Sequence, residues 1–195
     1  MKRVLALLLM VCILCAGWVA ASAAPFFIPF SPVDGLFFGM PKEEALALVE
    51  AAGWQFDYSC HGNHYYYYNV TVDQYTVPKC GLFFFTMDNG EEILRSVEYM
   101  FALSYGAEKP PHFDTLFDEL EQKLTALYGS SARDRIIHLV TSFQVGNVNI
   151  RLNLYPLSTF DGKPYHVLFL SGYIDFDIFP YDGPPAAAPS NTSGF

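Results

Sequence analysis

Charged residues are scarce in this chain, and basic residues are the scarcer kind. Only 16% of the 195 residues are charged, with 11 Lys and Arg against 20 Asp and Glu. This acidic balance repels the phosphates of nucleic acid, and no cluster of basic residues is present to attract anionic lipid. We therefore expect no nucleic-acid partner.

The chain also lacks the short motifs that mark common enzyme classes. It has no Gly-x-Ser-x-Gly elbow, no His-Glu-x-x-His helix and no phosphate-cradling glycine loop. Those motifs are typical of hydrolases, zinc proteases and nucleotide enzymes respectively. We accordingly expect a protein that is not an enzyme and that carries no cofactor.

Apolar and aromatic residues, by contrast, are abundant. They make up 52% and 17% of the chain respectively. A chain of this composition can bury a substantial core and does not resemble a disordered protein. We expect one folded domain.

The first residues have the three-part pattern of an export signal. Lys2 and Arg3 precede the apolar run Val4–Ala20, which a small-residue stretch follows. We expect residues 1–23 to be a signal peptide cleaved after Ala23, which places the protein in the periplasm or outside the cell. The alternative is an uncleaved anchor, because a run of about 17 residues reaches the lower limit for crossing a bilayer.

Cleavage would change the charge and the cysteine content. It would leave 9 basic against 20 acidic side chains, a net charge of −11, with no stable membrane insertion. Only Cys60 and Cys80 would remain, and we expect them to form a disulfide, because conditions outside the cytosol favour pairing. The alternative is a metal site at Cys60, His61 and His64, since thiolate and imidazole both bind transition metals.

Turn residues and composition predict the domain boundaries. Three prolines within residues 24–35 predict an extended lead-in, and the Pro, Ala and Ser content of residues 180–195 predicts a disordered tail. Residues 36–179 between them form the predicted domain, which divides into half-repeats 36–105 and 110–179.

Each half has the order helix, strand, strand, strand. The fold class is therefore α+β, with tandem helix-plus-antiparallel-sheet repeats and the helices packed on one sheet face. One helix begins at Pro41 and ends at Gly53, and the other follows Pro110-Pro111 and ends at Gly129. The predicted strands are Tyr65–Val77, Leu82–Met87, Ile93–Leu103, Arg135–Val145, Val148–Tyr155 and Tyr165–Asp175.

Two predicted strands offer surfaces for a partner. Period-two alternation directs Tyr65 and Tyr67 outward as an aromatic platform, which suits a binding surface. The inward set of that strand is Tyr66, Tyr68, Val70 and Val72. The second surface is a polar ladder on the strand Val148–Tyr155, formed by Asn149, Arg151, Asn153 and Tyr155.

The start of the first helix resembles a known motif. The segment Gly39–Ala45 (GMPKEEA) is similar to the Gly-Met-Ser/Thr-x-x-x-Val motif of the beta-lactamase inhibitor protein and BamE (SmpA/OmlA) domains. The likeness covers mainly residues 39–53, with looser support from the tandem order and from the positions of Cys60 and Cys80. It implies an exported, noncatalytic protein that contacts other proteins through sheet faces and loops.

The sequence therefore favours an exported, noncatalytic binding module. Its expected partner is another envelope or extracellular protein, with carbohydrate as the other candidate. The alternative is a metal-dependent or hydrolytic cell-envelope enzyme that uses His61 and His64.

Overall fold

A computed structural model describes residues 28, 30–129, 132–134, 139–145, 147–160 and 163–174. These residues contain two helices, α1 (Lys42–Ala51) and α2 (His112–Tyr128). They also contain the strands β1 (Gln55–Cys60), β2 (His64–Tyr68), β3 (Val70–Val72), β4 (Tyr75–Val77), β5 (Lys79–Thr86), β6 (Glu92–Tyr105), β7 (Ala132–Asp134), β8 (Leu139–Val145), β9 (Val148–Phe160) and β10 (Lys163–Ile174).

Eight of these strands form one antiparallel sheet. Their order is β1-β2-β5-β6-β10-β9-β8-β7, so that the last strands of the two chain halves, β6 and β10, pair at its centre. β3 and β4 form a separate two-stranded hairpin. The α+β class predicted from the sequence is therefore confirmed.

The strand register defines two faces of the large sheet. Residues directly opposite each other in an antiparallel pair project to the same side. One cross-strand row is almost completely buried, and we call its side the core face: Tyr67, Cys80, Tyr99, Leu170, Leu152 and Thr141. The neighbouring row defines the outward face: Tyr58, Tyr66, Gly81, Glu98, Ser171 and Arg151.

The helices bury one side each in the same apolar cluster as the core face. α1 contributes Ala45 and Val49 and contacts β6. α2 contacts β8 and β9, and its helical spacing buries Phe113, Phe117, Leu120 and Leu124. Leu127 has the same spacing but is 49% exposed, because it lies on the last turn of α2.

The core extends into the segment that the sequence predicts as an extended lead-in. Ile28, Phe30 and Val33 are buried, and the Phe30 ring meets that of Tyr99 edge to face at 5.4 Å. Gly172 on β10 makes room for this packing, since a Cβ there would lie 2.7 Å from the Phe30 ring. Burying these side chains removes apolar surface from water and anchors the segment to the sheet.

The predicted strand Tyr65–Val77 is wrong as a single element. Asn69 and Asp73 both adopt positive φ, 58° and 54° respectively. Asn and Asp tolerate this conformation better than other non-glycine residues, so the chain turns at each of them. The segment therefore divides into β2, β3 and β4, and Lys123 of α2 holds the resulting hairpin by an ion pair to Asp73 at 2.6 Å.

The hairpin of the second half agrees with its sequence pattern. Val145, the last residue of one predicted strand, pairs with Val148, the first residue of the next, which is the register of a hairpin with a two-residue loop. The β9 residues that alternate with the predicted polar ladder are buried: Val148, Ile150, Leu152 and Leu154.

The predicted signal peptide, residues 1–23, and the predicted tail, residues 180–195, lie outside the described residues. Within the described part of the chain, neither helix has the length and apolar character needed to cross a membrane.

Candidate functional site

The outward face joins β2 of the first half of the chain to the polar ladder of the second half. Tyr66 of β2 and Arg151 of β9 lie in one cross-strand row, linked through β5, β6 and β10. The first half contributes Tyr58 and Tyr66, which we call the tyrosine region. This region and the polar ladder of the second half are therefore parts of a single surface.

The predicted orientation of the tyrosines is wrong. Tyr67 lies on the core face with only 2% of its surface exposed, and Tyr65 is half-buried and packs against the core. Tyr66 lies on the outward face, and Tyr68 is 40% exposed. The prediction took its phase from Val70 and Val72, but the turn at Asn69 separates those residues from β2 and breaks the alternation.

Aromatic and basic side chains pack against one another on the outward face. The rings of Tyr58 and Tyr66 stack with centroids 4.7 Å apart, and the Lys79 ammonium lies 4.8 Å from the centre of the Tyr58 ring. At the other end of the face, Tyr155 stacks on Phe169 at 5.4 Å. These contacts hold several rings in fixed positions, and rigid aromatic side chains are common anchors in protein interfaces.

The polar ladder points outward as predicted, although its members differ in exposure. Arg151 is exposed and lies over the Tyr173 ring at 5.2 Å, while Asn149 and Tyr155 are half-buried. Asn153 is only 4% exposed, and its Nδ2 donates a hydrogen bond to the carbonyl oxygen of Arg151 at 3.3 Å. Asn153 is therefore part of the floor of this surface.

A groove of about 170 Å³ crosses the centre of the outward face. It lies over β5, β6 and β10, between the tyrosine region and the polar ladder. Its lining residues are Tyr66, Lys79, Gly81, Glu98, Met100, Tyr165, Val167 and Phe169. Gly81 keeps the groove open, because a Cβ there would lie 2.8 Å from the Phe83 ring and 3.3 Å from that of Tyr66.

Glu98 is the acidic group of this groove. Its carboxylate is half-buried, and desolvation raises its pKa above the ordinary 4.5. Lys79 lines the same groove, but its ammonium pairs with Asp57 at 3.3 Å. Among the described residues, no cation pairs with Glu98.

Sequence reasoning missed Glu98 and the rest of the groove. A polar residue at the centre of the predicted apolar strand Ile93–Leu103 is the only local signal of this site. The remaining lining residues lie on β2, β5, β6 and β10, and only the strand register brings the different strands together.

The predicted disulfide is absent, and Cys60 and Cys80 are both free thiols. Cys80 lies on the core face, whereas the register of β1 places Cys60 on the outward face, in phase with Tyr58. Side chains on opposite faces of a sheet, with one strand between theirs, cannot approach to bonding distance. Burial raises the pKa of the Cys80 thiol well above its usual range.

The two histidines of the predicted metal alternative are close together. Their rings lie 5.5 Å apart, and His64 also meets the Phe83 ring edge to face at 4.8 Å. The part of the chain that the structure describes contains no group of three or more His, Cys, Asp or Glu side chains placed to hold a metal ion.

No protein-family model matches the chain, and no curated protein or solved structure is significantly similar to it. The resemblance to the beta-lactamase inhibitor protein and BamE domains therefore stays a prediction.

Proposed function

We propose that this protein is an exported, noncatalytic binding module whose outward face contacts another envelope or extracellular protein. The observation that carries the proposal is the continuous row from Tyr58 through Glu98 to Arg151, which joins aromatic, acidic and basic side chains across six strands. Protein interfaces are enriched in Tyr and Arg, which supports this assignment.

The two faces of the sheet differ in their surroundings, and this difference supports the same proposal. Side chains of the helices and of the segment around Phe30 belong to the same buried apolar cluster as the core face. The outward face carries polar and aromatic groups in place of a second apolar layer. An antiparallel sheet with one packed face commonly leaves its other face to solvent or to a ligand.

We further propose that the chain is a tandem repeat with both helices on one side of the sheet. α1 precedes β1, β2, β5 and β6, and α2 precedes β7 to β10. The sheet order places these two four-strand sets side by side in opposite directions. This arrangement supports a likeness in architecture to the beta-lactamase inhibitor protein and BamE domains.

Affinity capture tests the proposed function. The purified chain is immobilised and exposed to an envelope extract of its host, and retained proteins are compared between variants. The double variant Arg151→Ser, Tyr155→Ser should lose at least about tenfold in affinity for a specifically retained partner, because both changes remove anchors from the outward face.

Leu127→Ser is the matched control, since Leu127 is exposed on α2, a helix whose buried residues belong to the core cluster. It should retain the partner fully. Equal capture by the double variant, with an unchanged thermal melting curve, would exclude the outward face as the binding surface.

The alternative proposal is a metal-dependent or hydrolytic envelope enzyme. The proximity of His61 and His64 is the observation in its favour. Metal analysis of chain purified without chelator tests the metal-dependent version of this proposal. Stoichiometric metal that is lost in a His61→Ala, His64→Ala double variant would support it.

A further inference from the structure

We propose that the groove over β5, β6 and β10 receives a lysine or arginine side chain from the protein partner, with Glu98 as its counter-ion. This inference rests on the proposed function and adds the chemistry of the contact. Size, charge and ring geometry each contribute to the argument.

The size of the groove suits one side chain. Its volume of about 170 Å³ falls below the range of roughly 300 to 1,000 Å³ that is usual for small-molecule pockets. An anchor residue of a protein interface typically inserts its one large side chain into a pocket near the centre of the interface. The groove also lies midway along the outward face, between Tyr66 and Arg151.

The charge of the groove favours a cation. Glu98 is half-buried among Tyr66, Met100 and Phe169, and no described cation neutralises it. A partly desolvated carboxylate without a counter-ion is costly for the free protein. An incoming ammonium or guanidinium group would relieve that cost and gain a charge-assisted hydrogen bond.

Lys79 does not take this role in the free protein. Its ammonium is held by Asp57 and by the rings of Tyr58 and Tyr66, at 4.8 and 5.7 Å from their centres. Lys79 lies on the β5 side of the groove. The carboxylate of Glu98 therefore remains available to a cation from the partner.

Aromatic rings give the groove a second attraction for a cation. Tyr66 and Tyr165 line it together with Phe169, whose ring is fixed by stacking on Tyr155. A cation above the face of such a ring is attracted by its quadrupole, and partial desolvation strengthens the effect. A neutral side chain of equal length would gain only the apolar contact.

Short peptides test this inference on the purified full chain labelled with nitrogen-15. The probes are acetyl-Gly-Lys-Gly-amide and acetyl-Gly-Arg-Gly-amide, and the matched neutral probe carries norleucine in place of lysine. We expect saturable amide shifts at Gly81, Glu98 and Phe169 with the basic probes only.

Two variants separate charge from shape. Glu98→Gln should weaken the basic probes by at least about tenfold, whereas Glu119→Gln, an exposed change on α2, should have no effect. Gly81→Ala narrows the groove without altering any charge and should also weaken the basic probes. Equal affinity for the norleucine probe, unchanged affinity in Glu98→Gln, or no saturable shift with the basic probes would each overturn the inference.

This inference and the proposed function can fail separately. If the basic probes do not bind but the Arg151→Ser, Tyr155→Ser variant loses the captured partner, the groove assignment is wrong and the outward face stays the binding surface. If the probes bind as expected but that double variant retains the partner, the proposed function is wrong.

Discussion

Adjacent tyrosines on β2 have opposite environments. Tyr67 is enclosed on the core face, where its ring meets those of Trp54 and Phe56 edge to face at 5.8 and 5.9 Å. Burial raises the pKa of its phenol, because the charged form would lose its hydration. Tyr68, one residue further on, is 40% exposed.

This difference predicts that the same substitution destabilises the chain strongly at Tyr67 and hardly at all at Tyr68. Tyr67→Ala should lower the free energy of unfolding by about 3 to 5 kcal/mol, because it removes a large buried ring and leaves a cavity. Tyr68→Ala should stay within about 0.5 kcal/mol of the parent, as surface changes usually do. Urea denaturation of both variants measures the difference, and equal losses would contradict the orientation of β2.

The cysteines should react as two unlike free thiols. Cys60 is partly accessible, while Cys80 is buried and its pKa is raised by desolvation. Because the thiolate is the reactive form, a thiol reagent should label Cys60 in the native chain and Cys80 only after unfolding. Mass spectrometry of peptides before and after denaturation locates the labels, and Cys60 and Cys80 both unlabelled in denatured chain would indicate the disulfide instead.

Glu98 should make stability depend on pH. Its pKa is raised above 4.5 in the folded chain by desolvation, so the folded state holds the proton more tightly than the unfolded state does. Protonated Glu98 therefore contributes stability at pH values below its pKa in the unfolded chain. This contribution is lost as pH rises through its pKa in the folded chain. Glu98→Gln should therefore be more stable than the parent near pH 7 and about equal to it near pH 3.

Urea denaturation midpoints at the two pH values check this expectation. The titratable side chains that line the groove together with Glu98 are Tyr66, Tyr165 and Lys79. Desolvation and nearby charges raise the pKa of Tyr66 itself to about 12. A Glu98→Gln variant that is less stable than the parent near pH 7 would show that the carboxylate has a stabilising partner.

At the scale of elements, the segment before α1 acts as a short extension of the sheet. The amide of Gly39 donates a hydrogen bond to the Leu94 carbonyl oxygen at 2.7 Å, and the Leu94 amide donates to that of Met40 at 2.8 Å. Gly39 has φ of 89°, a conformation that side chains disfavour. Gly39 and Met40 thus align the start of α1 with the N-terminal end of β6, which does not pair with β10.

Gly39→Ala should destabilise the chain by about 1 to 3 kcal/mol through backbone strain at positive φ. Gly39→Asn should cost less, since Asn tolerates that region better than Ala does. Thermal melting of the two variants gives the comparison. An Ala variant as stable as the parent would contradict the conformation of this segment.

The elements differ in how far the sequence determines them. The bounds of α2 follow from its apolar spacing and from Gly129, which are local signals. The faces of β9 follow from strict alternation as well. In β2 alternation separates the two faces, but it cannot identify the buried one, because that depends on what packs against the strand.

At the scale of the whole molecule, the site depends on pairings between distant parts of the chain. Glu98 and Ser171 are opposite each other only because β6 pairs with β10, and this contact joins the two halves. A shift of one residue in that register would move Glu98 away from the groove. The sequence could therefore predict the polar ladder of β9, but neither the outward tyrosines of β2 nor the groove between the two.

Photo-crosslinking determines whether the partner binds the outward face. A p-benzoylphenylalanine residue replaces Tyr155 on the outward face or Leu127 on the exposed side of α2, and the chain is irradiated in its native envelope. The account predicts partner adducts from position 155 and none from position 127. Adducts from position 127 without any from position 155 would contradict it.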